Sequence, residues 1–129
     1  MRKSFREEWE RLWPILAPAL DHAGHTHDEA DLLEAIASGA LQFWPGEHSA
    51  VVTELIAYPR FAALRLFLAG GELQELKAME RQITEWAQMQ GCARIEIGGR
   101  GGWQRALPGY MRLCTVLAKP ITPTTRTLQ

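Results

Sequence analysis

The strongest constraint in this chain lies between Ala62 and Ile97. An apolar run, Ala62 to Ala69, meets the pair Gly70-Gly71 and then an amphipathic stretch. There Leu73, Leu76, Met79, Ile83, Trp86 and Ala87 recur at helical spacing. Glu75, Lys77, Glu80, Arg81, Glu85 and Gln88 cover the other side, and Gly91 ends the pattern. A second short run, Arg94-Ile95-Glu96-Ile97, follows. A strand reached from another strand through a helix is placed parallel beside it, so this segment predicts a β-α-β unit.

The flanking sequence adds an antiparallel start. Leu41-Gln42-Phe43-Trp44 ends at Pro45-Gly46, and Ser49 to Tyr58 ends at Pro59-Arg60. With short turns between them, these runs and Ala62 to Ala69 predict an antiparallel meander. Upstream, Phe5, Trp9, Leu12, Trp13 and Leu16 form one helical stripe, which Pro14 and Pro18 are expected to kink or restart. Thr26 and Glu29 have capping-box spacing ahead of a second helix that stops at Ser38-Gly39. Near the end, Trp103 to Leu107 predicts one helical turn, and Met111 to Ala118 predicts a last strand. The expected fold is mixed α+β. It has a mostly antiparallel sheet, two N-terminal helices, one long crossover helix and one short helix. The expected domain is 1–121, and 122–129 is a polar flexible tail.

Composition narrows the function. The 129 residues fit one domain, and 14 basic against 15 acidic side chains give a net charge of −1. That removes the strongly basic footprint of a nucleic-acid binder. Cys92 and Cys114 lie in apolar stretches, so two buried free thiols are expected. The residues after Met1-Arg2-Lys3 are too charged for a signal peptide, and no run is long enough for a membrane helix. A protein cytoplasmic when synthesised is expected. His22, His25 and His27, with Asp21 and Asp28, are side chains of metal-ligating type close together in sequence. A turn without a cysteine nearby favours solvated side chains instead, so no metal is expected.

Several phrases carry a resemblance. They are Val51-Val52-Thr53-Glu54-Leu55, Tyr58-Pro59-Arg60, Leu68-Ala69-Gly70-Gly71, Glu85-Trp86-Ala87, Gly91-Cys92 and Glu96-Ile97-Gly98-Gly99-Arg100-Gly101-Gly102-Trp103. With the element order, they resemble the GNAT superfamily of N-acetyltransferases. More narrowly they resemble small GNAT-like proteins of tailed phages and prophages. The resemblance spans residues 5 to 121 and implies a GNAT-like fold. It places the acetyl-CoA loop at Gly70 and Gly71. It also places the family's second motif at Gly98 to Tyr110, where Gly109-Tyr110 stands for the usual Gly-Phe.

The sequence departs from that pattern where the chemistry sits. The glycine spacing around Gly70-Gly71 is altered, no basic residue accompanies it, and Glu72 and Glu75 follow where a pyrophosphate would bind. No tyrosine lies between Gly98 and Gly109 to serve as the family's general acid. Glu54 and Glu96 each interrupt an apolar strand. In an enzyme either is a candidate general base, and otherwise each pairs with an arginine. Arg100 in its glycine-rich turn and Trp103 beside it are candidate partner-binding residues. The expected role is that of a non-catalytic phage or prophage protein without a cofactor, acting in virion structure, assembly or DNA delivery. Its partners would be other virion proteins or a second copy of itself, and it would be incorporated in the virion. The alternative is an acetyl-CoA-dependent N-acetyltransferase.

Overall fold

The computed structural model describes residues 3–98 and 102–124. Helix α1 spans Phe5–Leu16, with Ser4 as N-cap accepting from the Glu7 N–H at 3.2 Å. The helix does not restart at Pro14 but runs through it. Interior proline costs roughly 3 kcal/mol. Trp9, Leu12 and Leu16 are buried on one face, at about 1.5–3 kcal/mol each, which outweighs that cost. A short helix α2, Ala19–His22, follows.

Helix α3 spans Glu29–Ser38 and ends on a left-handed Gly39. Its capping box differs from the expected Thr26/Glu29 pair. Asp28 accepts from the Asp31 N–H, and Asp31 accepts from the Asp28 N–H, both at 2.9 Å. The expected partners are engaged elsewhere. Glu29 accepts from Trp9 Nε1 at 2.8 Å, and Thr26 Oγ1 lies 2.7 Å from His27 Nδ1.

Strands β1 (Leu41–Pro45), β2 (Ala50–Ala57), β3 (Ala62–Gly70) and β4 (Cys92–Ile97) form one sheet in sequence order. β1, β2 and β3 pair antiparallel, and β4 lies parallel to β3, with helix α4 (Leu73–Met89) as the crossover. A mixed α+β fold with a four-stranded mixed sheet is therefore present. A fifth helix, α5, covers Gly102–Ala106.

Each face of the sheet holds a core. Trp9, Leu12, Leu16 and Leu32 pack on Val52 and Leu68 on one side. Leu76, Met79, Ile83 and Ala87 of α4 pack on Val51, Leu64 and Leu66 on the other. β3 changes face between Leu66 and Leu68. Thr53 pairs with Leu66 and Val52 with Leu68, so Phe67 is an extra residue in β3 without a partner on β2. That bulge lets neighbouring apolar residues serve both cores, and it bends the strand.

The expected last strand, Met111 to Ala118, is not formed. From Tyr110 to residue 124 the chain carries neither helix nor strand and is exposed beyond Tyr110. Strand geometry needs a ladder partner, and no described residue supplies one. Cys114 is consequently exposed rather than buried, whereas Cys92 is half-buried and its thiol is pushed up by that burial. No helix among the described residues is long and apolar enough to cross a membrane.

Candidate functional site

A cleft opens where β3 and β4 part. β4 ends at Ile97, opposite Leu66, while β3 continues to Gly70 paired with β2 alone. The β4-facing edge of Phe67 to Gly70 is therefore without a strand partner among the described residues. The resulting cavity holds about 500 Å³. β3 and the turn after it contribute Phe67, Ala69, Gly70 and Gly71, and Ile97 and Gly98 close the β4 side. α1 and α2 contribute Ile15 and His22, while α4 and the α5 region contribute Glu80, Ile83, Trp103 and Leu107. The lining is mostly apolar.

Glu80, a polar side chain of this wall, is already engaged. Tyr110 donates its hydroxyl to Glu80 Oε2 at 2.8 Å. Burial, and then the Glu80 carboxylate, push the Tyr110 phenol far above its usual range. It stays neutral and serves as a hydrogen-bond donor. Tyr110, at the Phe position of the family motif that the sequence resembles, thus ties the chain after α5 to α4.

The glycine pair occupies a crowded corner. A Cβ on Gly70 would strike the Ile15 carbonyl oxygen, and one on Gly71 would strike the His48 carbonyl and Ser49. Gly71 also holds φ at +123°, outside the range of other residues. The N-terminus of α4 rests on the turn between β1 and β2. The Glu72 N–H donates to Ser49 Oγ at 2.9 Å. The Glu75 carboxylate accepts from the N–H groups of Glu47 and His48 at 2.8 and 2.9 Å. From the other side, Arg11 donates to the carbonyls of Gly46 and Glu47. Glu75 is therefore a clamp on the chain's own turn, a role that spacing alone did not disclose. No side chain caps α4.

These contacts make Glu75 acid-sensitive. The Ser49 hydroxyl first, and the His48 N–H next, hold its carboxyl below the usual carboxylate range. A group depressed in the folded state stabilises the fold above its unfolded pKa, and that contribution disappears as pH falls through its folded value. Glu75→Gln should lower stability at pH 7 by about 1 kcal/mol, since the site is exposed and screened. Urea titrations at falling pH should show the two proteins converging below the ordinary carboxylate range. A gap that persists in acid would contradict this.

The two candidate bases are not in the cleft. Glu54 and Glu96 flank Arg65 in the sheet register, one on β2 and one on β4. Glu54 pairs with Arg65, and Glu96 pairs with Arg94 at 2.8 Å. Glu96 also accepts from the Tyr58 hydroxyl at 3.0 Å. The arginine-paired alternative therefore describes both. Trp103 lies partly buried against the α4-side core and forms part of the cleft wall. Arg100 lies outside the described residues. His25 contacts Asp21 at 3.5 Å, and the His27 ring meets Phe67 edge-on at 5.0 Å. The described residues contain no group of three or more His, Cys, Asp or Glu able to hold a metal.

The cleft residues Ile15, His22, Phe67 and Glu80 were not legible as a group. They come from separate elements, and the one local hint was the apolar run through Phe67, which suits a bulge serving two faces.

No family model matches the sequence, and no curated protein matches it. Two crystal structures of the protein TTHA1254 from Thermus thermophilus share the fold. A single-substitution mutant aligns with a TM-score of 0.58 and the wild type with 0.56. Each is 15% identical, and each alignment covers 96% of this chain and 99% of the other.

Proposed function

We propose that this chain is a GNAT-like protein of phage or prophage origin that acts through protein contacts, without acetyl transfer, in virion structure, assembly or DNA delivery. One observation carries the reading. The glycine corner, where the family resemblance puts the cofactor's pyrophosphate, is filled by the chain's own Ile15, His48 and Ser49. A fixed negative charge, Glu75, stands on the first turn of α4 beside it. The arginine pairing of Glu54 and Glu96, both outside the cleft, gives further support.

The cleft itself favours a second reading, an acetyl-CoA-dependent N-acetyltransferase. Its size suits a small ligand, and the unpaired edge of β3 offers backbone groups to an extended amide chain.

Calorimetric titration with acetyl-CoA, carried to millimolar concentration, separates the two. The contact role predicts no saturable heat. Saturable binding that is lost when Ala106→Trp fills the cleft would overturn it. A direct test is the protein content of purified particles, where a fixed copy number is expected.

A further inference from the structure

The segment after Tyr110 combines features that a lone chain leaves unsatisfied. Met111-Arg112-Leu113-Cys114-Thr115-Val116-Leu117-Ala118 has the composition of a strand, yet forms none. Val116 and Leu117 are 85% and 89% exposed, and Met111, Leu113 and Ile121 are exposed as well. The root of the segment is fixed, because Leu107 is buried and Tyr110 is bonded to Glu80. The same chain carries an open sheet edge. β4 pairs with β3 on one side, and no described residue pairs with it on the other. The opposite edge, β1, ends in Pro45 and is packed by α3 and α1, so it is the poorer acceptor.

Charge points to the identity of the occupant. From Ile97 to Gln129 there is no acidic residue, while Arg100, Arg105, Arg112, Lys119 and Arg126 are all basic. Of these, Arg112, Lys119 and Arg126 lie in the arm beyond Tyr110, so the body up to Tyr110 carries all 15 acidic side chains against 11 basic ones. A basic arm and an acidic body with an open edge, on one chain, are complementary between two copies.

We propose that residues 111–118 of one copy add as a strand to the β4 edge of a second copy, and reciprocally, forming an arm-exchanged dimer. The exchange satisfies the backbone groups of arm and edge together and removes the exposed edge from solvent. Each exposed arm side chain carries on the order of 100 Å² of apolar surface. Two arms and the surface they cover reach the roughly 1,200–2,000 Å² of a specific interface. The inference rests on the contact reading above and names a partner for one of its surfaces. The two fail separately. Saturable acetyl-CoA binding by a chain that still exchanges arms sinks only the former.

The test uses the full chain. Light scattering should read twice the 14.5 kDa chain mass, and truncation after Tyr110 should return the mass to that of one chain while circular dichroism stays folded. Cys92 on β4 and Cys114 in the arm report the pairing. A Cys92→Ser chain mixed with a Cys114→Ser chain should give a bismaleimide-linked dimer beyond what either variant yields alone. Ala93→Cys, at an exposed edge position, repeats the test in the Cys92→Ser, Cys114→Ser background against Cys114 of the Cys92→Ser chain. A monomeric full chain, a truncated chain that remains dimeric, or a Cys92–Cys114 link formed only within one chain would each overturn the proposal.

Discussion

Gly71→Ala is expected to be the most damaging small substitution in this protein. The left-handed backbone at Gly71 is unfavourable for alanine, and the new Cβ would overlap the backbone of His48 and Ser49. Neither neighbour can move freely, because Arg11 and Glu75 hold that turn from opposite sides. Backbone strain and overpacking together should exceed about 3 kcal/mol. That is a large share of the roughly 5–15 kcal/mol typical of a domain. Thermal unfolding should show a fall of about 10 °C or more, or no folded protein at all. Gly91→Ala is the matched control. Gly91 is also left-handed, at φ +83°, but a Cβ there meets no atom within 4 Å. It should cost only the strain, about 1–2 kcal/mol. Equal losses at the two positions would show that the crowded corner contributes nothing. The same geometry makes substitutions at Gly71 unsuitable for testing cofactor binding, since unfolding would mimic a lost site.

Trp9→Ala should be comparably severe. Trp9 is 3% exposed and packs between Phe5, Trp13 and Phe43, with ring centroids 5.1–6.0 Å apart. Its Nε1 donates to Glu29 Oε2 and so joins α1 to the start of α3. Removing the ring should cost about 3–5 kcal/mol. Trp9→Phe keeps most of the stacking and loses the hydrogen bond to a charged group, at about 1.5–3 kcal/mol. Chemical denaturation of the three proteins orders these effects. A Phe variant as unstable as the Ala variant would place the stabilisation in the Nε1 bond instead of the packing.

The Trp9–Glu29 bond also shows where a sequence reading of this fold stops. Thr26 and Glu29 have the spacing of a capping box, but so do Asp28 and Asp31. Local chemistry does not choose between them. The choice falls to Trp9, twenty positions away, which engages Glu29 and leaves the cap to the aspartates. Pro14 is a parallel case. Its local preference is to break a helix, and the buried residues on both sides of it keep α1 whole. Glu54 and Glu96 were legible as unusual carboxylates, yet their partners Arg65 and Arg94 follow from sheet register and side-chain packing.

By itself the sequence determined the β-α-β unit from Ala62 to Ile97, the parallel placement of β4, the antiparallel meander before it and the stop at Gly39. These follow from periodicity, turn residues and the handedness of crossovers, all of which act over a few residues or one connection. Only the tertiary structure decided the rest. β3 continues to Gly70 past the end of β4 at Ile97, so the cleft exists because two strands of unequal length part. The glycine corner is crowded because α1 and the β1–β2 turn arrive there from distant parts of the chain. Met111 to Ala118 has the makings of a strand and pairs with none of the described residues, because a strand, unlike a helix, draws its hydrogen bonds from a neighbour that its own sequence cannot supply.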